Sequence, residues 1–96
     1  MDLRKEYAII QTSINKLIDS HQPIDRNLRQ RQIQILEQLD DEFVKSGNET
    51  IEVHKARLQY NALLKYFSEE LGLPIQKYIN NIRSISRKMG IPEEEI

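Results

Sequence analysis

Two long stretches of helical periodicity, joined by one turn signal, constrain the fold of this chain more than any other feature. The turn signal is Ser46-Gly47-Asn48, and the periodic region around it runs from Asp25 to Leu71. Heptad-like apolar positions occupy both arms, as expected for helices with one apolar face. They are Leu28, Ile35, Leu36, Leu39 and Phe43 on the first arm, and Val53, Ala56, Tyr60, Leu63, Leu64, Phe67 and Leu71 on the second. Such a pair buries its stripes face to face as an antiparallel helical hairpin.

A further helix is predicted on each side of this hairpin. The apolar stripes are Leu3, Tyr7, Ile10, Ile14 and Leu17 before it, and Ile75, Tyr78, Ile82, Ile85 and Met89 after it. Asp2, Asp25 and Asn48 suit helix starts, Pro74 suits the first position of the last helix, and Gly47 and Gly72 suit helix ends. We therefore predict an all-α fold, a small four-helix bundle built on the long antiparallel hairpin. The single domain spans 1–96, with helices at about 2–19, 25–45, 49–71 and 74–89 and an acidic tail at 92–96.

Length and composition limit the biological setting. A chain of 96 residues forms one domain with a modest core, so association into a homo-oligomer is expected to add stability. It contains no Cys, and no apolar run approaches the roughly 20 residues that cross a bilayer. The first residues lack the apolar stretch of a signal peptide. These features favour a cytoplasmic protein without membrane contact.

The sequence contains no recognisable catalytic or metal-binding pattern. It has no Gly-rich phosphate loop, no GxSxG and no nucleophile paired with a base, so we expect neither an enzyme nor a cofactor. His54 has no His or carboxylate one turn away, which predicts a surface position without a metal ligand role. His21 is predicted to be an exposed turn residue.

Charge is distributed unevenly along the chain, although the net charge is −1 and the pI is about 6.1. A whole-domain pI above roughly 9, as in many nucleic-acid-binding domains, is absent. From 37 to 52 there are six acids and one base, which gives −5, and from 74 to 91 there are four bases and no acid, which gives +4. A local basic surface is therefore compatible with the acidic total.

About a third of the chain resembles the small terminase subunit of tailed phages. The similar parts are Gln38–Phe43 with Ser46-Gly47-Asn48, and Leu58–Leu73 with its Asn61-Ala62-Leu63-Leu64-Lys65 segment and the ending Glu70-Leu71-Gly72-Leu73-Pro74. Members of that family are all-helical, assemble into rings through such hairpins and recognise viral DNA for packaging. The present chain departs from them because it continues into a further helix and lacks a clear N-terminal helix-turn-helix.

Charge placement and this resemblance together predict a non-enzymatic protein for DNA binding and packaging, in a bacterial host cell if phage-encoded. The residues expected to contact the phosphates of duplex DNA are Arg26, Arg29, Arg31, Lys77, Arg83, Arg87 and Lys88. Asn80 and Asn81 are expected at base edges. Two structural explanations remain open, because the arginines can pair with neighbouring helices and late bases suit a helix C-terminus.

A protein-binding module is the alternative hypothesis. In this case a small regulator or inhibitor uses its acidic end, residues 37–52, as the working surface and mimics phosphate charge. The residues predicted for that surface are Glu37, Asp40, Asp41 and Glu42. A structural oligomer without other activity is a third hypothesis.

Overall fold

The computed structural model describes residues 2–92 and residue 94, and within them the chain forms four helices and no strand. The helices are α1 (Leu3–Asp19), α2 (Arg26–Ser46), α3 (Ile51–Glu70) and α4 (Gln76–Lys88). Helix pairs pack against each other, so the predicted all-α fold of the small-bundle type is confirmed. Of the predicted acidic tail, Pro92 and Glu94 are exposed, whereas Glu93, Glu95 and Ile96 lie outside the described residues.

Side-chain caps explain where the first three helices begin. Asp2 Oδ1 accepts a hydrogen bond from the Arg4 amide at 2.9 Å, and Asp25 Oδ1 accepts one from the Asn27 amide at 2.8 Å. The predicted cap at Asn48 is wrong, because Thr50 caps α3 and its Oγ1 accepts from the Val53 amide at 3.2 Å. A capping side chain supplies an acceptor that the first turn lacks.

The last helix also begins later than predicted. Pro74 does not open α4, since Ile75 occupies the N-cap position and the helix starts at Gln76. No side chain provides a cap hydrogen bond at this end. Pro74 and Ile75 instead belong to the short connection between Gly72 and α4.

Each of the four helices is followed by a residue in the left-handed backbone conformation. At the end of α3, Gly72 has φ 72°, the Leu73 amide donates to the Ser68 carbonyl at 2.8 Å and the Gly72 amide donates to the Glu69 carbonyl at 3.1 Å. This pair of bonds satisfies carbonyls that the helix leaves open. The same bonds end α1, but there the left-handed residue is His21, with φ 55°. His21 is exposed, as predicted.

The chain divides into two compact units, Met1–Ile35 and Leu36–Ile96, and the boundary falls inside α2. In the first unit, α1 and the beginning of α2 bury Ile10 and Ile14 together with Ile33 and Ile35. Gln32 is fully buried there, and its Nε2 donates to Gln11 Oε1 at 2.8 Å. We refer to this region as unit 1.

The second compact region, unit 2, contains the end of α2, all of α3 and all of α4. Its buried apolar side chains are Leu36, Leu39, Val53, Leu64, Phe67, Tyr78 and Ile85. The ring centroids of Phe43 and Tyr60 lie 6.1 Å apart in a stacked arrangement. Asp40 and Arg57 are bonded to each other and lie equally far along the chain from the 47–50 connection, as in a hairpin.

Candidate nucleic-acid interface

The outer side of α4 is a continuous polar and basic surface. Asn80, Arg83 and Arg87 recur at spacings of three and four residues, so they share one helix face, and all three are exposed. Lys77 and Lys88 are exposed beside them. None of the residues from Gln76 to Lys88 is acidic. We call Lys77, Asn80, Arg83, Arg87 and Lys88 the α4 basic face.

The sequence of α4 determines which way this face points. Tyr78, Ile85 and Ser86 are buried, which orients the helix with its apolar stripe toward α3. The stripe and the basic residues alternate along the chain with helical periodicity. Burial of one face therefore leaves the charged face toward solvent.

Lys88 of the α4 basic face forms an ion pair with Glu49. Its Nζ lies 2.6 Å from Glu49 Oε1, and the two side chains are 46% and 63% exposed. The hydrogen bond from Lys88, followed by its positive charge, lowers the pKa of Glu49. Exposed pairs of this kind contribute only about 0–1 kcal/mol, so solvent or another anion can compete with Glu49.

Asn80 and Asn81, both predicted to touch base edges, differ in their surroundings. Asn80 is exposed, and its Oδ1 accepts from Gln76 Nε2 at 2.9 Å. Asn81 is half-buried, and its Nδ2 donates to Asn61 Oδ1 at 2.9 Å. The amide of Asn81 thus holds α4 against α3, whereas that of Asn80 faces solvent.

The bond from Asn81 belongs to a polar cluster that connects the three helical segments of unit 2. Asn61 is fully buried, and its Nδ2 donates to Asp40 Oδ1 at 3.1 Å and to the Arg57 carbonyl at 2.9 Å. Arg57 donates to both carboxylate oxygens of Asp40, from Nε at 2.7 Å and from Nη2 at 3.3 Å. This two-point geometry fixes the guanidinium against the carboxylate. We call Asp40, Arg57, Asn61 and Asn81 the buried polar cluster.

The arginines near the start of α2 are largely committed to contacts within unit 1. The phosphate contact predicted for Arg29 conflicts with its burial, because this residue is only 5% exposed and its Nη1 donates to Gln32 Oε1 at 2.6 Å. Arg31 forms a bidentate ion pair with Glu6, in which Nη2 lies 2.9 Å from Oε1. This bonding lowers the pKa of Glu6 and raises that of Arg31. Arg26 is exposed.

The acidic end is smaller than predicted. Asp40 is 5% exposed and lies in the buried polar cluster, so it is not a surface residue. Glu37 accepts a hydrogen bond from the Tyr78 hydroxyl. Burial, followed by that bond, raises the pKa of Tyr78 to about 12. Asp41 and Glu42 remain exposed.

Three polar residues of α3, the buried His54 and Asn61 and the half-buried Arg57, were not predicted from the sequence to lie at the core. The predicted surface position of His54 is wrong, because it is 9% exposed and its Nδ1 has no hydrogen-bond partner among residues 2–92 and 94. Arg57 and Asn61 were assigned no role. Val53, Arg57, Asn61, Leu64 and Ser68 recur at spacings of four, four, three and four, and this polar-interrupted stripe was the available signal.

Other kinds of site receive no support from the described part of the chain. Among residues 2–92 and 94, no three His, Asp or Glu side chains come close enough together to hold a metal ion. None of the described helices combines the length and apolarity that a bilayer crossing requires. Comparisons with protein-family models, curated proteins and solved structures gave no match to this chain.

Proposed function

We propose that this protein is a non-enzymatic DNA-binding protein that contacts duplex DNA through the α4 basic face. The observation that carries the proposal is the exposure of Lys77, Arg83 and Arg87 on a helix without any acid. Phosphates of a duplex attract a local basic surface, and such a surface is compatible with the net charge of −1 of the whole chain. An α-helix also fits the major groove, where an exposed amide can read adenine. Asn80 is in a position to do so.

The structure narrows the set of residues proposed from the sequence. Arg29 is buried and Arg31 is held by two bonds to Glu6, so we assign the principal phosphate contacts to α4, with the exposed Arg26 as a further candidate. Asn81 is assigned to the packing of α4 on α3 because of its bond to Asn61. The resemblance of the α2–α3 region to small terminase subunits supports a role in phage DNA packaging, with self-association through the hairpin.

Binding to a fluorescently labelled duplex, measured at about 50 and 200 mM salt, tests this function. Affinity should fall steeply between the two conditions because neutralised phosphates release counterions. Arg83→Ala with Arg87→Ala should weaken binding to all sequences and reduce the salt slope by about one to two units. Asn80→Ala should instead change the preference among sequences.

Arg4→Ala with Lys5→Ala provides the matched control. Both residues are exposed on α1, and their replacement removes the same charge from another helix. This control should retain the affinity and the salt slope of the unmodified protein. Absence of binding at the lower salt, or equal loss in both double variants, would refute the assignment to α4.

A protein-binding function is a second candidate, favoured by apolar exposure at the acidic end. Val44 is 55% exposed and Ile51 is 48% exposed, close in sequence to the exposed acids Asp41 and Glu42. Apolar side chains ringed by charge are common at protein interfaces. Asp41→Asn with Glu42→Gln should abolish binding of such a partner and leave DNA binding intact. A partner retained equally by this variant would count against the acidic end.

A further inference from the structure

A small cavity lies in unit 2 at the connection between α2 and α3. Its volume is about 90 Å³, and Phe43 and Val53 form part of its apolar wall. A cavity needs roughly 10–15 Å³ of such space to hold one water molecule, so this cavity holds several. The cavity therefore has room for a small polyatomic ion and excludes a drug-sized molecule.

Basic groups dominate the polar part of the cavity wall. His54, Arg57 and Lys88 line it, and Glu49 is the one acid among the lining residues. His54 is more than nine-tenths buried, and its Nδ1 is unpartnered among the described residues. This nitrogen has almost no accessible surface, so the ring must rotate slightly toward the cavity before a ligand bonds to it and recovers the free energy that an unsatisfied buried nitrogen costs.

The first turn of α3 adds to the positive potential at this position. Val53 and His54 belong to that turn, and both line the cavity. Their amides are already bonded, to Thr50 Oγ1 at 3.2 Å and to the Thr50 carbonyl at 3.0 Å, so this end of the helix contributes the partial positive charge of its dipole and no free donor. In agreement, the pKa of Glu49 is lowered chiefly by Lys88 and further by the charges of His54 and Arg57.

From this geometry we propose that the cavity binds a small oxyanion of the phosphate type, with Lys88 and His54 as its principal polar contacts. Glu49 then acts as a tethered competitor that occupies Lys88 in the absence of the ion. The Glu49 side chain is 63% exposed, so it can turn into solvent without loss of core packing. Arg57 stays bonded to Asp40 and contributes its positive field.

Titration of the full, nitrogen-15-labelled chain with inorganic phosphate tests the proposal. Chloride is exchanged for phosphate at constant ionic strength, and the ring nitrogens of both histidines are followed by NMR. Saturable shifts at His54, with His21 unchanged, are expected. His21 is exposed on a turn outside the cavity, so it reports bulk effects of the buffer. Equal or non-saturating shifts at both rings would overturn the proposal.

Two surface substitutions test the assigned roles without disturbing the core. Lys88→Gln should weaken phosphate binding at least about tenfold, the loss expected for one hydrogen bond to a charged group. Glu49→Gln should tighten binding about two- to fivefold, the factor that corresponds to one exposed ion pair. Lys77→Gln and Glu52→Gln are the matched controls, since both are exposed and neither lines the cavity.

The source of the oxyanion follows from a parallel titration with glycerol phosphate. Binding of both compounds identifies a phosphomonoester site, and binding of inorganic phosphate alone identifies a site for the free ion. Equal affinities in the Lys88 and Lys77 variants would overturn the proposal even if His54 responds. This outcome is independent of DNA binding, which is tested at Arg83 and Arg87.

Discussion

Asp40 holds the buried polar cluster together, because its carboxylate accepts from both Arg57 and Asn61. Asp40→Asn keeps the shape and leaves the Arg57 charge without a counter-ion. We expect a loss of about 3 kcal/mol in the free energy of unfolding, the lower end of the range for a broken buried pair. The lower end applies because the Arg57 side chain retains 16% exposure.

Chemical denaturation of Asp40→Asn and of Asp41→Asn measures this effect. The neighbouring Asp41 is exposed, so its replacement removes an equal charge outside the cluster. The control should change the free energy of unfolding by less than about 0.5 kcal/mol, as is usual for surface sites. Similar losses in the two variants would show that the cluster is not a source of stability.

Tyr78 makes the stability of unit 2 sensitive to alkaline pH. Its folded-state pKa is raised from 10 to about 12, so the unfolded chain releases this proton first as the pH rises. The contribution of the protonated hydroxyl is complete below pH 10 and is lost between pH 10 and about 12. The stability advantage over Tyr78→Phe should therefore shrink across that window.

Denaturation curves at several alkaline pH values test this expectation. Tyr66→Phe is the matched control, since Tyr66 is 65% exposed and loses the same hydroxyl group. The control should follow the pH dependence of the unmodified chain. Parallel curves for the unmodified chain and Tyr78→Phe would contradict a role for the bond to Glu37.

At the scale of helices, the end of α1 is a place where the chain can be stabilised. His21 adopts the left-handed conformation, φ 55°, that glycine occupies at the ends of α2, α3 and α4. This conformation costs a residue with a side chain roughly 1–2 kcal/mol. After allowance for the greater freedom of glycine in the unfolded chain, His21→Gly should raise the free energy of unfolding by about 0.5–1 kcal/mol.

Ser20→Gly is the comparison for this prediction. Ser20 has φ −89°, a conformation that costs an ordinary residue nothing, so glycine there should only add entropy to the unfolded chain. Thermal unfolding of both variants separates the two effects. A lower melting temperature for His21→Gly would mean that the imidazole makes a stabilising contact.

The presence of the four helices was predictable because it depends on local periodicity. Two details of these helices were not predictable. The start of α3 was missed because Asn48 and Thr50 are both good caps, and the hydrogen bond to the Val53 amide decides for Thr50. The buried side of α3 was only partly predicted, since the stripe was traced through apolar residues alone. His54 and Asn61 are polar and buried, which a stripe of apolar residues alone does not indicate.

At the scale of the whole molecule, a chain of 11.4 kDa with a small core is predicted to self-associate. Tyr66 is the most exposed large apolar side chain of α3 and a candidate for that contact. Light scattering at high micromolar concentration should give a mass above the monomer, and Tyr66→Ser should lower it. Gln59→Ser, at an exposed polar site of the same helix, should not. A mass of 11.4 kDa throughout would exclude association.

The pairing of the charged residues was less predictable than the fold. Arg31 pairs with Glu6, Arg57 with Asp40 and Lys88 with Glu49, and every pair joins residues far apart in sequence. A run of charged residues in a sequence does not show which of them form such ion pairs. The bases of α4 were recoverable from the sequence because that helix contains no acid and its apolar stripe fixes the outward face.

The side-chain amide of Asn61 has a fixed orientation, and this orientation affects how the helices pack against one another. Its nitrogen is held by the Asp40 carboxylate and the Arg57 carbonyl, so its oxygen is left to point toward α4. The paired segments of α2 and α3 thus present an oriented acceptor to α4. Asn81 supplies the donor that satisfies this acceptor. The bond therefore fixes the register in which α4 packs on the hairpin.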